Sequence, residues 1–485
     1  MLDQQTRLDV SRRAVEAARA AGASYADARV VAREHETIVV RNEELEGVDR
    51  SLSEGIGIRV LVDGRWGFAA TARPEEGEVE RTASLAVEIA RASARLPGEP
   101  VHLAEVEPVT DTWATPIRED PFVVPLAEKL DLLMEASRRM RIAPGVSFGE
   151  ASLDLYRQRT AFASSEGAAI EQTLVHSGAG IEATAIGEGE MQRRSFPNSF
   201  RGHFSAAGYE HIRGLHLLDE AERVGREAVD LLSAPECPSI ETTVILDGPQ
   251  MVLQVHESVG HPVELDRVLG MEESYAGTSF LDLGDRGKLR YASDHVTITA
   301  DATLAGGLGS FGYDDEGVPA QRVTLIQGGI FQDFISSRET APVLGLPSNG
   351  TMRADGWENL PLIRMTNISI EPGEGSLEEL IADTPDGILM SMNTSWSIDD
   401  RRVNFQFGCE AAWRIRGGRL TDLYRNPNYT GITTEFWGSC DAVCGPEEWQ
   451  VWGTPNCGKG QPGQVARVGH GTAPARFRGV RVGVR

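Results

Sequence analysis

The sequence predicts an α+β, multidomain protein: a mixed α/β N-terminal half followed by a β-rich C-terminal domain with one helix inserted. Three observations carry this. The chain has 485 residues, room for several domains at roughly 150 residues each. Helix-spaced and strand-like segments alternate up to Pro235. From Glu241 onward the apolar runs are short and glycine-punctuated: TTVILD, HVTITAD, QRVTLIQGGIFQDFIS, LIRMTNISIEPG, GILMSMN, VNFQFGCEAAWRIRGGRLT.

The elements follow in order. Leu8, Val10, Val15, Ala18 and Ala21 stand near helical spacing, and Gly22 stops the run. Tyr25–Val31 and Glu36–Arg41 read as strands, then a polar NEELEG turn, then short strands punctuated by Gly55, Gly57, Gly64 and Gly67. A second helix spans Val79–Leu96, ended by Pro97-Gly98. Pro97, Pro100, Pro108, Pro116 and Pro121 mark a candidate linker over 97–125. Pro125–Ile142 is an amphipathic helix, followed by strands Val146–Arg157, Arg159–Ser164, Ala168–Ser177 and Gly180–Gly187 and by a helix over Leu217–Leu232. With a break at Pro235–Pro238, these signals give three domains: 1–110 (N-terminal α/β), 111–235 (central α/β) and 236–485 (β-rich). Gly55–Ile58 and Gly178–Ile181 both read Gly-x-Gly-Ile after a glutamate-glycine turn. This suggests an internal repeat, although unrelated glycine-rich hairpins look alike and are the preferred reading.

Composition excludes several classes. Lys and Arg number 47 against 72 Asp and Glu, a net charge of −25, which disfavours nucleic acid and anionic membranes as general partners. No apolar run reaches the 18 residues of a membrane span, and the N-terminus lacks the apolar core of a secretory signal. Five cysteines, an odd number, do not make a disulfide framework. The expectation is a soluble cytoplasmic protein with reduced thiols.

The chemistry-bearing pattern lies in the inserted helix, Pro249–Gly260. Residues 256–261 read His256-Glu257-Ser258-Val259-Gly260-His261. Two imidazoles flanking a carboxylate are the makings of a zinc hydrolase site, where neutral ring nitrogens hold the metal and the glutamate deprotonates water. On a regular helix the second histidine belongs at i+4. At i+5, with about 100° per residue, it is turned roughly 140° away from the first. Gly260 tolerates non-helical conformations and Pro262 disfavours the α region for His261, so the helix should end or bulge there. A wide turn closed by an i→i+5 bond would return His261 beside His256. The bland alternative is a solvated turn that holds these residues by coincidence.

A catalytic zinc keeps three protein ligands and one open position. The third is open among Glu264, His295, Cys409, Cys440, Cys444 and Cys457. Cys457 sits among small residues, in Pro-Asn-Cys-Gly-Lys-Gly-Gln, and Lys459 nearby would favour its thiolate. Cys440 and Cys444 read as packed thiols, since no second Cys/His pair completes a four-ligand set. His295 reads as a surface strand residue. The Gly-x-Gly segments lack the helix and acidic partner of a dinucleotide site, and Ser164, Ser165 and Ser258 lack a nucleophile elbow.

Leu253–Phe280, LQVHESVGHPVELDRVLGMEESYAGTSF, resembles the zinc-motif region of the TldD/PmbA family of metalloproteases. CGKGQ at Cys457–Gln461 resembles that family's cysteine loop, and NEELEGVDRSLSEGIGIRV is similar to its N-terminal segment. The likeness spans essentially the whole chain. It implies zinc on His256, His261 and Cys457, Glu257 as catalytic base, a dimer enclosing the site, and short or unfolded peptides as substrate. The family joins an active TldD-type subunit to a PmbA-type (TldE) partner that has lost the zinc motif. This chain keeps every motif residue and so resembles the active type. Its CGKGQ motif, in CGKGQPGQ, is shorter than TldD's own CGKDGQ form, and Ser-Val-Gly-His-Pro-Val-Glu replaces Ala-Val-Gly-His-Gly-Leu-Glu, which implies a TldD-like branch.

The resulting expectation is a zinc-dependent peptidase with Glu257 as general base, forming a homodimer or a heterodimer with a PmbA/TldE-like chain. Three rivals stand beside it. One is a zinc amidase acting on a small modified peptide, and another a structural zinc site with four protein ligands. The third is a non-catalytic peptide-binding subunit, against which the retention of Glu257 argues. Every base after Trp449 stands without an acid (Lys459, Arg467, Arg476, Arg478, Arg481, Arg485). This cationic tail is therefore expected to pack around an anionic zinc ligand.

Overall fold

One eight-stranded sheet gathers the strands of the first 235 residues. The computed structural model describes residues 2–187, 189–275 and 277–484. The first part of the chain runs α1 (Gln4–Ala20), β1 (Tyr25–Arg41), β2 (Glu44–Val62), β3 (Arg65–Thr71) and α2 (Glu78–Ser93). It continues with β4 (Thr110–Ala114), α3 (Leu126–Met140), β5 (Val146–Ser164), β6 (Ala169–Gly187), β7 (Glu190–Phe196), β8 (His203–Ser205), α4 (Tyr209–Gly214) and α5 (Leu217–Ser233). The order is β3-β2-β1-β5-β6, with β4, β8 and β7 along the outer edge of β6. β1 and β5 pair antiparallel from Asp27↔Ser164 to Arg41↔Glu150. The segments 1–110 and 111–235 therefore supply the two halves of a single sheet. The proline-rich stretch between them is tied down: β4 runs parallel to β6, and Ala104 exchanges hydrogen bonds with Arg338.

Each half repeats a helix, two long strands, a shorter third strand and a closing helix. The two Gly-x-Gly-Ile segments are thus hairpin strands, as preferred, and they also recur at matched places, in β2 and β6. Their glycines share a physical role. A Cβ at Gly55 would lie 2.4 Å from the Trp357 ring, and one at Gly57 would lie 2.3 Å from the Trp357 carbonyl oxygen. At Gly178 it would meet the Phe204 ring at 2.2 Å, and at Gly180 the Gly202 Cα at 2.3 Å. Both pairs are saddles over which another segment crosses.

The strands are longer than expected. Tyr25–Val31 and Glu36–Arg41 fuse into one 17-residue strand, and the two pairs of pieces after Val146 fuse into strands of 19 residues each. The reason lies in the two faces. Alternate residues Ala28, Val30, Ile38, Val40, Leu153, Leu155 and Ile181 are apolar and meet α1, α2, α3 and α5. The opposite face is polar yet covered by the C-terminal domain. There Arg59 bridges Asp27 at 2.7 Å and Glu316 at 3.1 Å. Arg29 meets Asp315 at 3.2 Å, Arg33 meets Asp355 at 2.6 Å and Arg467 meets Asp154 at 3.2 Å. Arg33 and His35 belong to this polar face; the apolar one is interrupted by Glu34 and Glu36, which pair with Arg157 at 3.2 Å and Lys129 at 2.6 Å.

The C-terminal domain begins with β9 (Ile240–Leu246), α6 (Gly248–Val255), a π turn at His256–Gly260 and α7 (Leu265–Val268). Short strands follow: β10 (Ile298–Asp301), β11 (Arg322–Gln327), β12 (Ile330–Phe331), β13 (Met352–Arg353), β14 (Leu362–Ile363) and β15 (Ile368–Ile370). After α8 (Leu377–Ala382) come β16 (Asp386–Ile398), β17 (Asn404–Arg416), β18 (Arg419–Tyr424), β19 (Asn428–Ile432), α9 (Thr433–Gly438) and β20 (Cys440–Val443). The chain ends in β21 (Gln450–Lys459), β22 (Gln464–Thr472) and β23 (Ala475–Val482). Pairings β16-β9-β23-β19-β17 close through β17–β16 into a ring around a buried aromatic core that includes Phe405, Phe407, Tyr429, Phe436 and Phe477. β21 and β22 form a separate hairpin. Among the described residues no helix is long and apolar enough to cross a membrane.

The saddle predicts a contrast within one strand. Gly57→Ala forces a backbone contact and should cost about 1–3 kcal/mol in denaturant unfolding. Gly47→Ala, where a Cβ meets nothing within 4 Å, should stay within about 0.5 kcal/mol of the parent.

Candidate metal centre

α6 starts cleanly. The Asp247 side chain accepts from the Gln250 amide at 2.8 Å, and proline occupies the first turn. The helix is regular to Val255 and then widens, so that the His261 amide donates to the His256 carbonyl at 3.2 Å. The extra residue in this turn brings the two imidazoles to 4.9 Å between centroids, nearly perpendicular. The means differ from expectation. His261 keeps α geometry, φ −71° and ψ −42°, despite Pro262. Gly260 supplies room rather than an unusual dihedral, because a Cβ there would stand 2.2 Å from the Met365 sulfur. Ser258 anchors the turn. Its carbonyl accepts from the Tyr291 hydroxyl, and its hydroxyl accepts from Trp437 Nε1 at 2.8 Å and Gln254 Nε2 at 2.9 Å.

Hydrogen bonds fix which ring nitrogens are free. His470 Nδ1 lies 2.9 Å from the Ile368 carbonyl, which can only accept, so Nδ1 carries the proton. Burial holds His470 neutral, well below the ordinary imidazole range, so its Nε2 is an acceptor. It faces His256 Nδ1 at 2.8 Å, which must therefore donate, leaving His256 Nε2 with a lone pair. His261 Nδ1 lies 3.0 Å from Glu264 Oε2. Burial opposes the charge on Glu264, but Lys459, His261 and Arg267 outweigh it and keep the group ionised. His261 Nε2 is then likewise a free lone pair. Burial pushes His261 down to about 4, so both rings are neutral near pH 7.

Cys457, from β21, faces His261 Nε2 at 3.9 Å. Burial alone would raise its thiol, but the nearby positive charge, Arg364 foremost, overcomes this and brings it down to about 7. Arg364 is buried between the hairpin strands, donating to the Cys457 carbonyl and, at 3.1 Å, to that of Gln464. Ligand atoms of His256, His261 and Cys457 all lie within 4.8 Å of one another, the sole such group of three among the described residues. Two neutral nitrogens and a readily formed thiolate converging on one point fit a borderline-soft divalent ion such as zinc.

The other candidates fall elsewhere. Glu264 orients His261 instead of joining the cluster. His295 is exposed in a turn ahead of β10 rather than on a strand. Cys409 is buried on β17, and burial pushes the Cys440 and Cys444 thiols up to about 12. Among the described residues, which exclude Arg485, the cationic tail does not surround Cys457. Lys459 is spent on Asp266 at 2.8 Å and Glu264 at 3.4 Å, while Arg476 and Arg478 both bind Asp441. The positive charge that acts most on the thiol is Arg364.

Glu257 Oε2 receives a hydrogen bond from Arg402 Nη1 at 2.6 Å. Arg402 sits at the β16–β17 turn with φ 65°. Asp399 braces that turn by accepting from the amides of Arg401, Val403 and Asn404. Sequence reading missed Arg402, Arg364 and His470. Only His470, flanked by glycines in Val-Gly-His-Gly-Thr, carries a local signal. A cavity of about 300 Å³ exposes His256, Glu257, His261, Arg402 and Cys457 to one space. Trp396 lines both this cavity and a neighbouring one of about 920 Å³. A carboxylate, a fixed cation and a candidate metal-ligand triad share one cavity, an arrangement able to support metal-assisted hydrolysis.

Residues 26–90, 119–234 and 239–483 match the family models described as PmbA/TldA metallopeptidase domain 1, central domain and C-terminal domain. A metalloprotease of Methanocaldococcus jannaschii is 30 % identical over 92 % of this chain and 94 % of its own. One of Methanothermobacter thermautotrophicus is 30 % identical over 95 % of each chain. A zinc metalloprotease TldD homolog of Saccharolobus solfataricus is 23 % identical over 95 % of this chain and 97 % of its own. TldE of Thermococcus kodakarensis shares the fold, with a TM-score of 0.72 and 17 % identity over 98 % of this chain and 99 % of its own. On the family matches and the 30 % relatives together, the chain belongs to the PmbA/TldD family of metallopeptidases.

Proposed function

We propose that the chain is a zinc-dependent peptidase that hydrolyses short or unfolded peptides in the cytoplasm, with Glu257 as general base. The observation that carries this reading is the placement of Glu257, beside His256 on the π turn and lining one cavity with all three candidate ligands. Zinc held by His256, His261 and Cys457 would supply Lewis acidity toward a water and the scissile carbonyl. Glu257 takes the proton of the attacking water and delivers it to the leaving amine. Arg402 aims that carboxylate and adds fixed positive charge where an oxyanion develops. Burial keeps His256 and His261 unprotonated, and Arg364 offsets the charge of the Cys457 thiolate.

The substrate class rests on an edge. β16 pairs with β9 only as far as Met390↔Leu246, yet continues to Ile398 along the cavity wall. Among the described residues no strand takes this edge beyond Met390. An extended peptide can add there through main-chain bonds, which suits sequence-tolerant cleavage. A dimer, with a second copy or a TldE-like chain, belongs to the same reading.

Metal analysis should find about one zinc per chain, retained in Glu257→Gln, with kcat for a defined oligopeptide down about 10²–10⁴-fold; wild-type activity in that variant would sink the mechanism. Cys457→Ala should lose zinc on dialysis, whereas full occupancy removes it from the ligand set. In chelator-stripped protein, iodoacetamide should label Cys457 first, at a rate rising as pH climbs through about 7 and the thiolate forms. Cys237, Cys440 and Cys444 should lag, their thiols standing at about 11, 12 and 12. Mass spectrometry of the labelled peptides reads this order, and added zinc should protect Cys457.

A further inference from the structure

One polar side chain in the catalytic cavity has no part in the scheme above. Asn393 lines that cavity with His256, Glu257 and Cys457 and is only 3 % exposed. Neither its Oδ1 nor its Nδ2 has a hydrogen-bond partner among the described residues. Buried carboxamides are ordinarily bonded, because an unpaired polar atom forfeits its hydration without return. Both ends of one side chain left free beside a candidate base point to a partner that arrives from outside the fold.

The backbone is shaped around this residue. Pairing with β9 ends at Met390. Met392 then takes φ 59°, left-handed geometry that side-chain-bearing residues seldom adopt. The register against β17 shifts between Asn393 and Ser395, a bulge of the kind that re-aims a side chain. A lost pairing, a strained residue and a bulge thus fall within six residues of one strand, next to the free edge. Strain held in this way is a mark of functional positions.

We propose that Asn393 clamps the main chain of the substrate, its Oδ1 accepting from one peptide N–H and its Nδ2 donating to one peptide C=O near the scissile bond. A carboxamide presents one acceptor and one donor group in a plane, the complement of a peptide's own groups, and it reads no side chain. This rests on the peptidase reading and deepens it. Asn393 selects for polyamide main chain, whatever its sequence, over esters and small amides that lack a flanking peptide unit.

The test uses the full chain carrying Glu257→Gln, titrated calorimetrically with a blocked alanine–lysine hexapeptide and with analogues in which one internal amide at a time is an ester. An ester lacks the N–H and is a weaker acceptor. With Asn393 present, one ester position should weaken binding about tenfold, the size expected for a lost buried hydrogen bond. Adding Asn393→Leu should weaken the parent hexapeptide about tenfold and flatten the ester profile, with zinc content unchanged. Asn393→Asp, which keeps the shape and loses the donor, should show the same loss of parent affinity and covers a leucine variant that misfolds. An ester profile that is the same with and without Asn393, unchanged parent affinity in both variants, or no hexapeptide binding at all overturns the clamp. Cleavage of the parent hexapeptide by the unsubstituted chain is scored separately. Its absence counts against the peptidase reading, while cleavage with an unaltered ester profile removes Asn393 alone.

Discussion

The hydrogen bond from the His261 amide to the His256 carbonyl fixes the direction of the second imidazole, and the other site contacts presuppose it. In a regular α turn His261 would point roughly 140° away from His256, out of reach of Cys457. With five residues in the turn, Glu264 reaches back to His261 while His256 meets His470 on β22. A π turn packs less well than an α turn and is found mostly as a single-turn bulge. Here it is braced by groups from three distant segments: Tyr291 and Trp437 on Ser258, and Met365 filling the space that Gly260 leaves open.

Electrostatics complete what the turn begins. A protein of net charge −25 surrounds its candidate metal centre with its own buried cations, each assigned to a particular acceptor. Arg402 holds Glu257, Arg267 and Lys459 hold Glu264, and Arg364 lies along the Cys457 backbone. Removing one partner of such a pair strands a charge in low dielectric, which is far worse than never having built the pair. The centre is therefore an interlocked unit, and the lone pairs of its histidines are products of second partners as much as of the rings themselves.

What could be read in advance was local. The helix limits followed from apolar spacing and glycine or proline stops, and the i+5 spacing with Gly260 called for a bulged turn. The mechanism of that turn was not legible, because the need for Gly260 comes from Met365, over a hundred residues away. Arg364, Arg402, His470 and Asn393 belong to turns and strands brought together only by the closed ring of β16, β17, β19, β23 and β9 and the hairpin beside it. No periodicity marks them. The expected break in β1 has a related reason: Glu34 and Glu36 look like loop residues until β5 supplies Arg157 and α3 supplies Lys129. The cationic tail misled because net charge along a sequence says little about which acceptor each side chain meets.

The two glycine saddles occupy equivalent places in a repeated unit but bear different burdens. Trp357 of the C-terminal domain crosses the first, and the 201–202 backbone together with the Phe204 ring covers the second. The loop held by the second, with Asn198, Ser199 and Phe200, forms a wall of the cavity that holds the candidate metal centre, where Phe200 meets Trp396 edge-on at its exposed rim. The duplicated sheet thus works as a balance with unequal arms. One arm fastens the catalytic domain to its support. The other sets the wall that faces Glu257, so a scaffold glycine bears on the shape of that cavity through Gly202.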